Sequence, residues 1–348
     1  MQNLFHLPSL LLPWFQENAR VLPWRADTEP YHVWISEIML QQTRVEAVIG
    51  YYRRFLAALP DIASLAAVPD DSLMKLWQGL GYYSRARNLK KASQTIVDRF
   101  VGKFPDRYED ILSLPGIGDY TAGAISSICF ERPVPAVDGN VLRVFARYTA
   151  WDRAIDGDGA KKYVTEQLRP LYVPGSCGAF TQSLMELGAC VCLPNGAPDC
   201  GNCPLANECL ANARGRATDY PVRSAKKARR IENRTVAVLR CGDRFVISKR
   251  PEKGLLAGLW EFPCVSTDLS ADPEKAALGY ADKLGASPTG VAGKISYTHV
   301  FTHVEWHITG VFIDCAETPD ALVWATREQL RDIYALPSAF REIMKALT

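Results

Sequence analysis

The chain has 348 residues, of which 48% are hydrophobic and 22% charged, and its net charge is +2. That length exceeds one ordinary core, and the mixed composition excludes a disordered or fibrous chain, so two globular domains are expected. The near-neutral balance excludes a uniformly basic nucleic-acid binder; any face for DNA must be a local patch.

The opening MQNLFHLPSLLLPWF is apolar, but no basic stretch precedes it and Glu17 and Arg20 follow at once. It reads as a first amphipathic helix and not as a secretory signal. No run approaches the roughly eighteen apolar residues needed to span a bilayer. A cytoplasmic protein is therefore expected, and its ten cysteines read as ligands or buried thiols in preference to disulfides. From residue 1 to about 215, helical periodicity is broken by Pro and Gly, as in 51–59 before Pro60 and in 73–77. This first domain, 1–215, is predicted to be all-α.

Within it, Glu37 sits in the apolar stretch VWISEIMLQQT (33–43). Burial in such a helix would desolvate the carboxylate and raise its pKa, which suits a general acid near neutral pH. The plainer reading is a Glu on the wet face of an amphipathic helix. Further on, LPGIGDYTA (114–122) ends one helix at Pro-Gly, turns through Gly116 and Gly118, and opens another. The bare N–H groups of that second helix attract a phosphate without reading sequence. Asp138, in VPAVDGNVLRV (134–144), reads as the N-cap of a helix beginning near Gly139. A capping Asp stays deprotonated and is also suited to lie beneath a developing cation. One neutral acid and one ionised carboxylate are the pair that cleavage of a glycosidic bond calls for.

Cys192, Cys200, Cys203 and Cys209 follow, separated by seven, two and five residues. Four thiols this close in an intracellular chain indicate a metal. Zinc and an iron–sulfur cluster both fit, and Cys190 is a substitute candidate for the first ligand. Residues 216–232 are polar and basic and read as an interdomain linker, with phosphate contact as a second use. Beyond them, 235–240 and 244–248 read as strands joined by Cys241-Gly242-Asp243, a hairpin signal. Strands are also expected at 297–304 and 306–313, with a closing helix near 338–347. The second domain, 233–348, is thus predicted to be α+β.

The Glu37 helix, the 115–122 hairpin, the Asp138 segment and the cysteine cluster occur in the order of the endonuclease III-like, helix-hairpin-helix DNA glycosylases. The chain resembles that family over most of residues 20–210. The resemblance implies two all-α lobes with a DNA-facing cleft between them, and a 4Fe–4S cluster in the loop 192–209. Cys192, Cys200, Cys203 and Cys209 would hold it. The first gap is one residue longer than the family's, which leaves Cys190 and Cys192 as alternatives, with Cys192 favoured.

Two features resemble the MutY-type adenine DNA glycosylases within that family. Where the lyases carry a lysine after the hairpin, this chain has Tyr120, so no Schiff base is expected. The second domain resembles the Nudix-like, 8-oxoguanine-reading domain, and Phe301-Thr302-His303 looks like its Phe-Ser-His loop with the hydroxyl retained. By this resemblance Phe301 packs, and Thr302 and His303 recognise the modified guanine. Trp24 and Arg25 would belong to the adenine pocket, Gln42 and Tyr82 would wedge into the duplex, and Asn140 would orient Asp138. Gly116 and Gly118 would hold a backbone phosphate. The implied activity is hydrolysis of the N-glycosidic bond of adenine opposite 8-oxoguanine or G in double-stranded DNA, by a monomer. Glu37 would be the general acid, and Asp138 would stabilise the oxocarbenium ion. The alternatives are an endonuclease III-like lyase for oxidised pyrimidines and a Nudix-type nucleotide hydrolase. The latter needs a glutamate-dense metal helix, which neither 250–263 nor 276–284 supplies.

Overall fold

In the computed structural model, residues 4–225, 228–266 and 272–347 are described. The first three residues of the apolar opening, and Lys226 and Lys227 of the linker stretch, lie outside them. The chain folds as two compact units. The first comprises Met1–Ala67 and Asn88–Ala225, as far as described. The second comprises Val68–Arg87 and the described residues from 228 to 347.

Helices alone make up the regular structure described in the first unit. The apolar opening forms the helix Leu7–Asn18. The helix Pro30–Leu40 starts with Pro at its first position, where the missing N–H costs nothing. It is apolar nearly all round, and eight of its residues from Tyr31 to Met39 are buried, Glu37 among them. It packs on the helix Asp119–Phe130, and the helix Cys177–Cys190 packs on both that helix and Gly139–Thr149. Close approach is possible because Gly123 and Gly188 lack side chains. A Cβ on Gly123 would lie 2.5 Å from the Pro135 carbonyl oxygen, and one on Gly188 would lie 2.5 Å from Asn140 Cβ. A buried core runs from Leu7 and Leu11 through Val141, Phe145 and Leu184 to Cys192, with Cys203 and Cys209 packed against it.

The second unit is built on a seven-stranded mixed sheet. Its strands are β1 (Arg230–Cys241), β2 (Arg244–Lys249), β3 (Trp260–Glu261), β4 (Cys264–Ser266), β5 (Pro288–Val300), β6 (Val304–Cys315) and β7 (Val323–Thr326). The order is β3-β2-β1-β6-β5, with β4 also on β1 and β7 on β2. β1 and β6 run parallel and the other pairs antiparallel. The alternation of β1 sorts its residues onto two cores. Val236 and Val238 face Trp306, Phe340 and Ile343, whereas Ala237 and Leu239 face Ala277 and Ala281 of the helix Pro273–Lys283.

The hairpin expected at Cys241-Gly242-Asp243 joins β1 to β2, with Gly242 at φ 60°. β1 begins at Arg230, inside the stretch 216–232. Two of the expected strands differ in extent: β5 starts at Pro288 and stops at Val300, so Phe301, Thr302 and His303 form the turn between β5 and β6. The expected closing helix appears as a 3₁₀ turn, Ser338–Phe340, running into the helix Arg341–Ala346. Residues 68–87, read in the sequence as part of the first domain, cluster with the second unit. Lys75 Nζ donates to the carbonyl oxygens of Arg331 and Tyr334, Gln78 Nε2 to that of Leu336 (2.8 Å), and Arg87 Nη1 to that of Ala257 (2.6 Å).

Candidate active site

The first unit contains a cavity of about 580 Å³. Glu37, Tyr120, Asp138 and Asn140 line it, as do Trp24, Arg25, Gln42 and Gly118. Residues chosen from separate stretches of sequence therefore surround one space.

Glu37 is 6% exposed, and Tyr120 Oη donates to its Oε2 at 2.5 Å. Desolvation pushes the carboxyl up to about 7; the Tyr120 hydrogen bond and Arg25 oppose this, and the nearby Asp138 adds to it. The same burial, with Glu37 alongside, drives the Tyr120 phenol well above its usual range, so it remains a donor. Asp138 caps the helix Gly139–Thr149, its Oδ1 accepting from Val141 N at 2.8 Å. Its Oδ2 accepts from Asn140 Nδ2 at 2.7 Å. Burial nevertheless raises the Asp138 pKa above the usual carboxylate value, against the hydrogen bonds from Val141 and Asn140 and the charge of Arg143. Capping thus opposes desolvation without overcoming it, which the sequence expectation of a simply ionised cap did not include.

The hairpin has the expected form. Gly116 lies at φ 77°, and a Cβ there would meet the Asn88 side chain at 2.4 Å, so only glycine fits. Gly118 is the N-cap of Asp119–Phe130, with open space where its side chain would be.

Arg25 is tied down by its neighbours. Its Nη2 donates to Glu186 Oε2 at 2.8 Å and its Nε to Gln182 Oε1 at 3.1 Å. Trp24, 8% exposed, stands edge-on to Tyr52 at 5.5 Å. Glu186 was not singled out in the sequence. It is 1% exposed and accepts from Arg20 Nε at 2.7 Å as well as from Arg25. Burial pushes its carboxyl up, but the hydrogen bonds from the two arginines outweigh that and bring it down to about 2. A signal existed, because Glu186 is a lone carboxylate in an apolar helix, as Glu37 is. Arg143 was also missed. It donates to Asn140 Oδ1 (2.8 Å), to the Gly188 carbonyl (2.7 Å) and to the Cys192 carbonyl (2.7 Å).

Cys192, Cys200, Cys203 and Cys209 line one small apolar hollow together with Arg147 and Val191. Among the described residues, no three His, Cys, Asp or Glu side chains form a group suited to a single metal ion. Cys190 does not line that hollow; its Sγ lies 3.7 Å from Glu186 Oε1. Burial pushes the Cys203 thiol up to about 12, so an unligated thiol here stays protonated.

In the second unit, Phe301 packs edge-on against His299 (4.6 Å) and Trp306 (4.9 Å). Thr302 and His303 are exposed. Tyr82 is 44% exposed at φ 46°, and its hydroxyl lies 2.5 Å from Thr302 Oγ1. It is therefore not a core aromatic. Gln42, at φ 58°, is exposed and belongs to the first unit. Among the described residues, no helix is long and apolar enough to cross a membrane.

Residues 35–170 match the model of the HhH-GPD superfamily base excision DNA repair proteins, and residues 235–346 match that of the NUDIX domain. An adenine DNA glycosylase of Arabidopsis thaliana is 37% identical over 84% of this chain, which spans 55% of that protein's length. The adenine DNA glycosylase of Buchnera aphidicola (strain Sg) is 32% identical over 99% of both chains. Among solved structures, a thermostable thymine-DNA glycosylase superposes with a TM-score of 0.54 at 27% identity, over 59% of this chain and 94% of its own. Endonuclease III in a non-covalent DNA complex shares the fold, with a TM-score of 0.53 at 22% identity over 62% of this chain and 99% of its own. The chain belongs to the MutY-type adenine DNA glycosylases, a family of helix-hairpin-helix base excision repair enzymes with a Nudix-like second domain.

Proposed function

We propose that this enzyme hydrolyses the N-glycosidic bond of adenine mispaired with 8-oxoguanine or G in double-stranded DNA, leaving an abasic site. The observation that carries this reading is the pairing of two unlike carboxyls in one cavity. Glu37 is buried with a pKa near 7, and Asp138 is wrapped in donors. The adenine leaves the stack and enters the cavity, because its glycosidic bond is out of reach inside a duplex. Glu37, whose raised pKa lets it hold a proton near neutral pH and which Tyr120 holds in place, donates to N7 and makes the base a better leaving group. As the bond breaks, the sugar gains oxocarbenium character. Asp138 stabilises that cation, and Asn140 fixes the orientation of its carboxylate. Water completes the reaction. Arg25 hydrogen-bonds the extruded base and Trp24 walls its pocket, while the amides after Gly116 and Gly118 hold a backbone phosphate. Tyr120 stands where an amine would be needed for strand cleavage, so no lyase step follows.

The opposite base falls to the second unit, where Thr302 and His303 recognise 8-oxoguanine over the packed Phe301. Gln42 and Tyr82 wedge into the duplex. The family's usual cofactor is a 4Fe–4S cluster, and the residues fit one in that four thiols line a common hollow. Cys192, Cys200, Cys203 and Cys209 would hold it, and its contribution would be to fix the loop structurally. The enzyme acts as a cytoplasmic monomer.

The test is to incubate the protein with duplexes carrying A opposite 8-oxoguanine, A opposite G, or thymine glycol opposite A. Cleavage of the A strand only after alkali, fastest opposite 8-oxoguanine, is expected. Nicking at thymine glycol without alkali would move the protein to the lyase branch.

A further inference from the structure

Three cations line the active-site cavity: Arg20, Arg25 and Lys161. The two arginines are engaged by one carboxylate, since Glu186 accepts from both. Lys161 is the second residue of the helix Ala160–Leu168 and is exposed. Among the described residues, no carboxylate pairs with its ammonium, which leaves it as the uncommitted positive charge of the cavity.

The carboxyls of Glu37, Asp138 and Glu186 line the same space. A nucleotide rotated into it brings its flanking phosphates to a space lined by these carboxyls, and the ionised Asp138 repels a phosphate. Something must offset that repulsion, and the arginines are already neutralised in part by Glu186. We propose that Lys161 is a positioning residue whose ammonium seats the phosphate flanking the extruded adenosine. A lysine suits the task, because a compact charge on a flexible stem can follow a phosphate as the nucleotide turns. This inference rests on base extrusion as described under the proposed function. Lys162 is also exposed but does not line the cavity, so it serves as an internal control.

The experiment measures equilibrium binding of the full chain, carrying Glu37→Gln so that the base is not released, over a salt series. One duplex holds A opposite 8-oxoguanine and the other is fully paired. Lys161→Ala should weaken binding of the mispaired duplex by roughly fivefold and lower its salt slope by about one, with little effect on the paired duplex. Lys161→Arg should recover most of the loss. Lys162→Ala should change the two duplexes alike. Equal losses on both duplexes from Lys161→Ala, or a result matching Lys162→Ala, would overturn the proposal. If the Glu37→Gln parent itself bound the two duplexes equally, the proposed function would fail, and this inference with it.

Discussion

Arg143 Nη2 donates to Asn140 Oδ1 at 2.8 Å, so the amide that contacts Asp138 is itself held by a guanidinium. The other donors of Arg143 go to the carbonyls of Gly188 and Cys192, and the residue is 3% exposed. One side chain thus links the Asp138 cap to the chain entering the cysteine loop. Arg143→Gln removes the charge and most of these bonds, leaving buried carbonyls without donors. We expect a loss of stability of about 2–4 kcal/mol and a fall in single-turnover rate of tenfold or more. Thermal melting and single-turnover cleavage of A opposite 8-oxoguanine check both; an unchanged rate in a folded variant would refute the link.

The raised pKa of Glu37 sets two pH effects. If it is the general acid, the single-turnover rate should be flat below pH 7 and fall about tenfold per pH unit above it. Tyr120 hydrogen-bonds the carboxylate and lowers its pKa, so Tyr120→Phe should move that break to higher pH. A break that stays in place would separate the phenol from the acid.

The same shift affects stability. The folded carboxyl takes up its proton more readily than the unfolded one, whose pKa lies near 4.5. Its stabilising effect is complete below pH 4.5 and is lost as pH rises through about 7. Above that, ionising a buried carboxylate costs on the order of 3 kcal/mol. Glu37→Gln should therefore be inactive yet more stable than the parent at pH 8, with the advantage fading towards pH 5. Melting temperatures at the two pH values decide it.

The cysteines separate by position. Cys203→Ser should lose iron and unfold at lower temperature, because its thiol lines the shared hollow and packs on the first-unit core. Cys190→Ser should keep its iron, since Cys190 Sγ faces Glu186. Iron content per chain, measured on both purified variants, distinguishes Cys192 from Cys190 as the first ligand.

Tyr82 and Thr302 should act as a pair. Their hydroxyls are 2.5 Å apart, and each belongs to a residue assigned to the opposite base. Tyr82→Phe and Thr302→Val should each reduce the preference for 8-oxoguanine over G. The double variant should lose less than the sum, with a coupling of about 1 kcal/mol. Additive losses would mean that the hydrogen bond plays no part in recognition.

Local features were legible in the sequence because their causes lie within a few residues. Asp138 caps the helix that follows it, Gly116 sits in a turn that needs positive φ, and the four cysteines fall within one short loop. The alternation of β1 and β2 and the turn at Gly242 were likewise readable. The strands β3, β4 and β7 were not, since two to four residues are too few to display a period. What the tertiary structure decided was which side chains meet. Glu37 and Tyr120 are 83 positions apart, Arg25 and Glu186 161, and Tyr82 and Thr302 220. No local pattern encodes those pairings. The protonation of Glu37 depends on them too: desolvation and the facing donors set its pKa, and both come from residues brought in by packing of helices distant in the chain. The sequence alone determined which residue types were available for the chemistry. Burial and proximity, settled only on folding, decided which of them share a cavity and in what charge state.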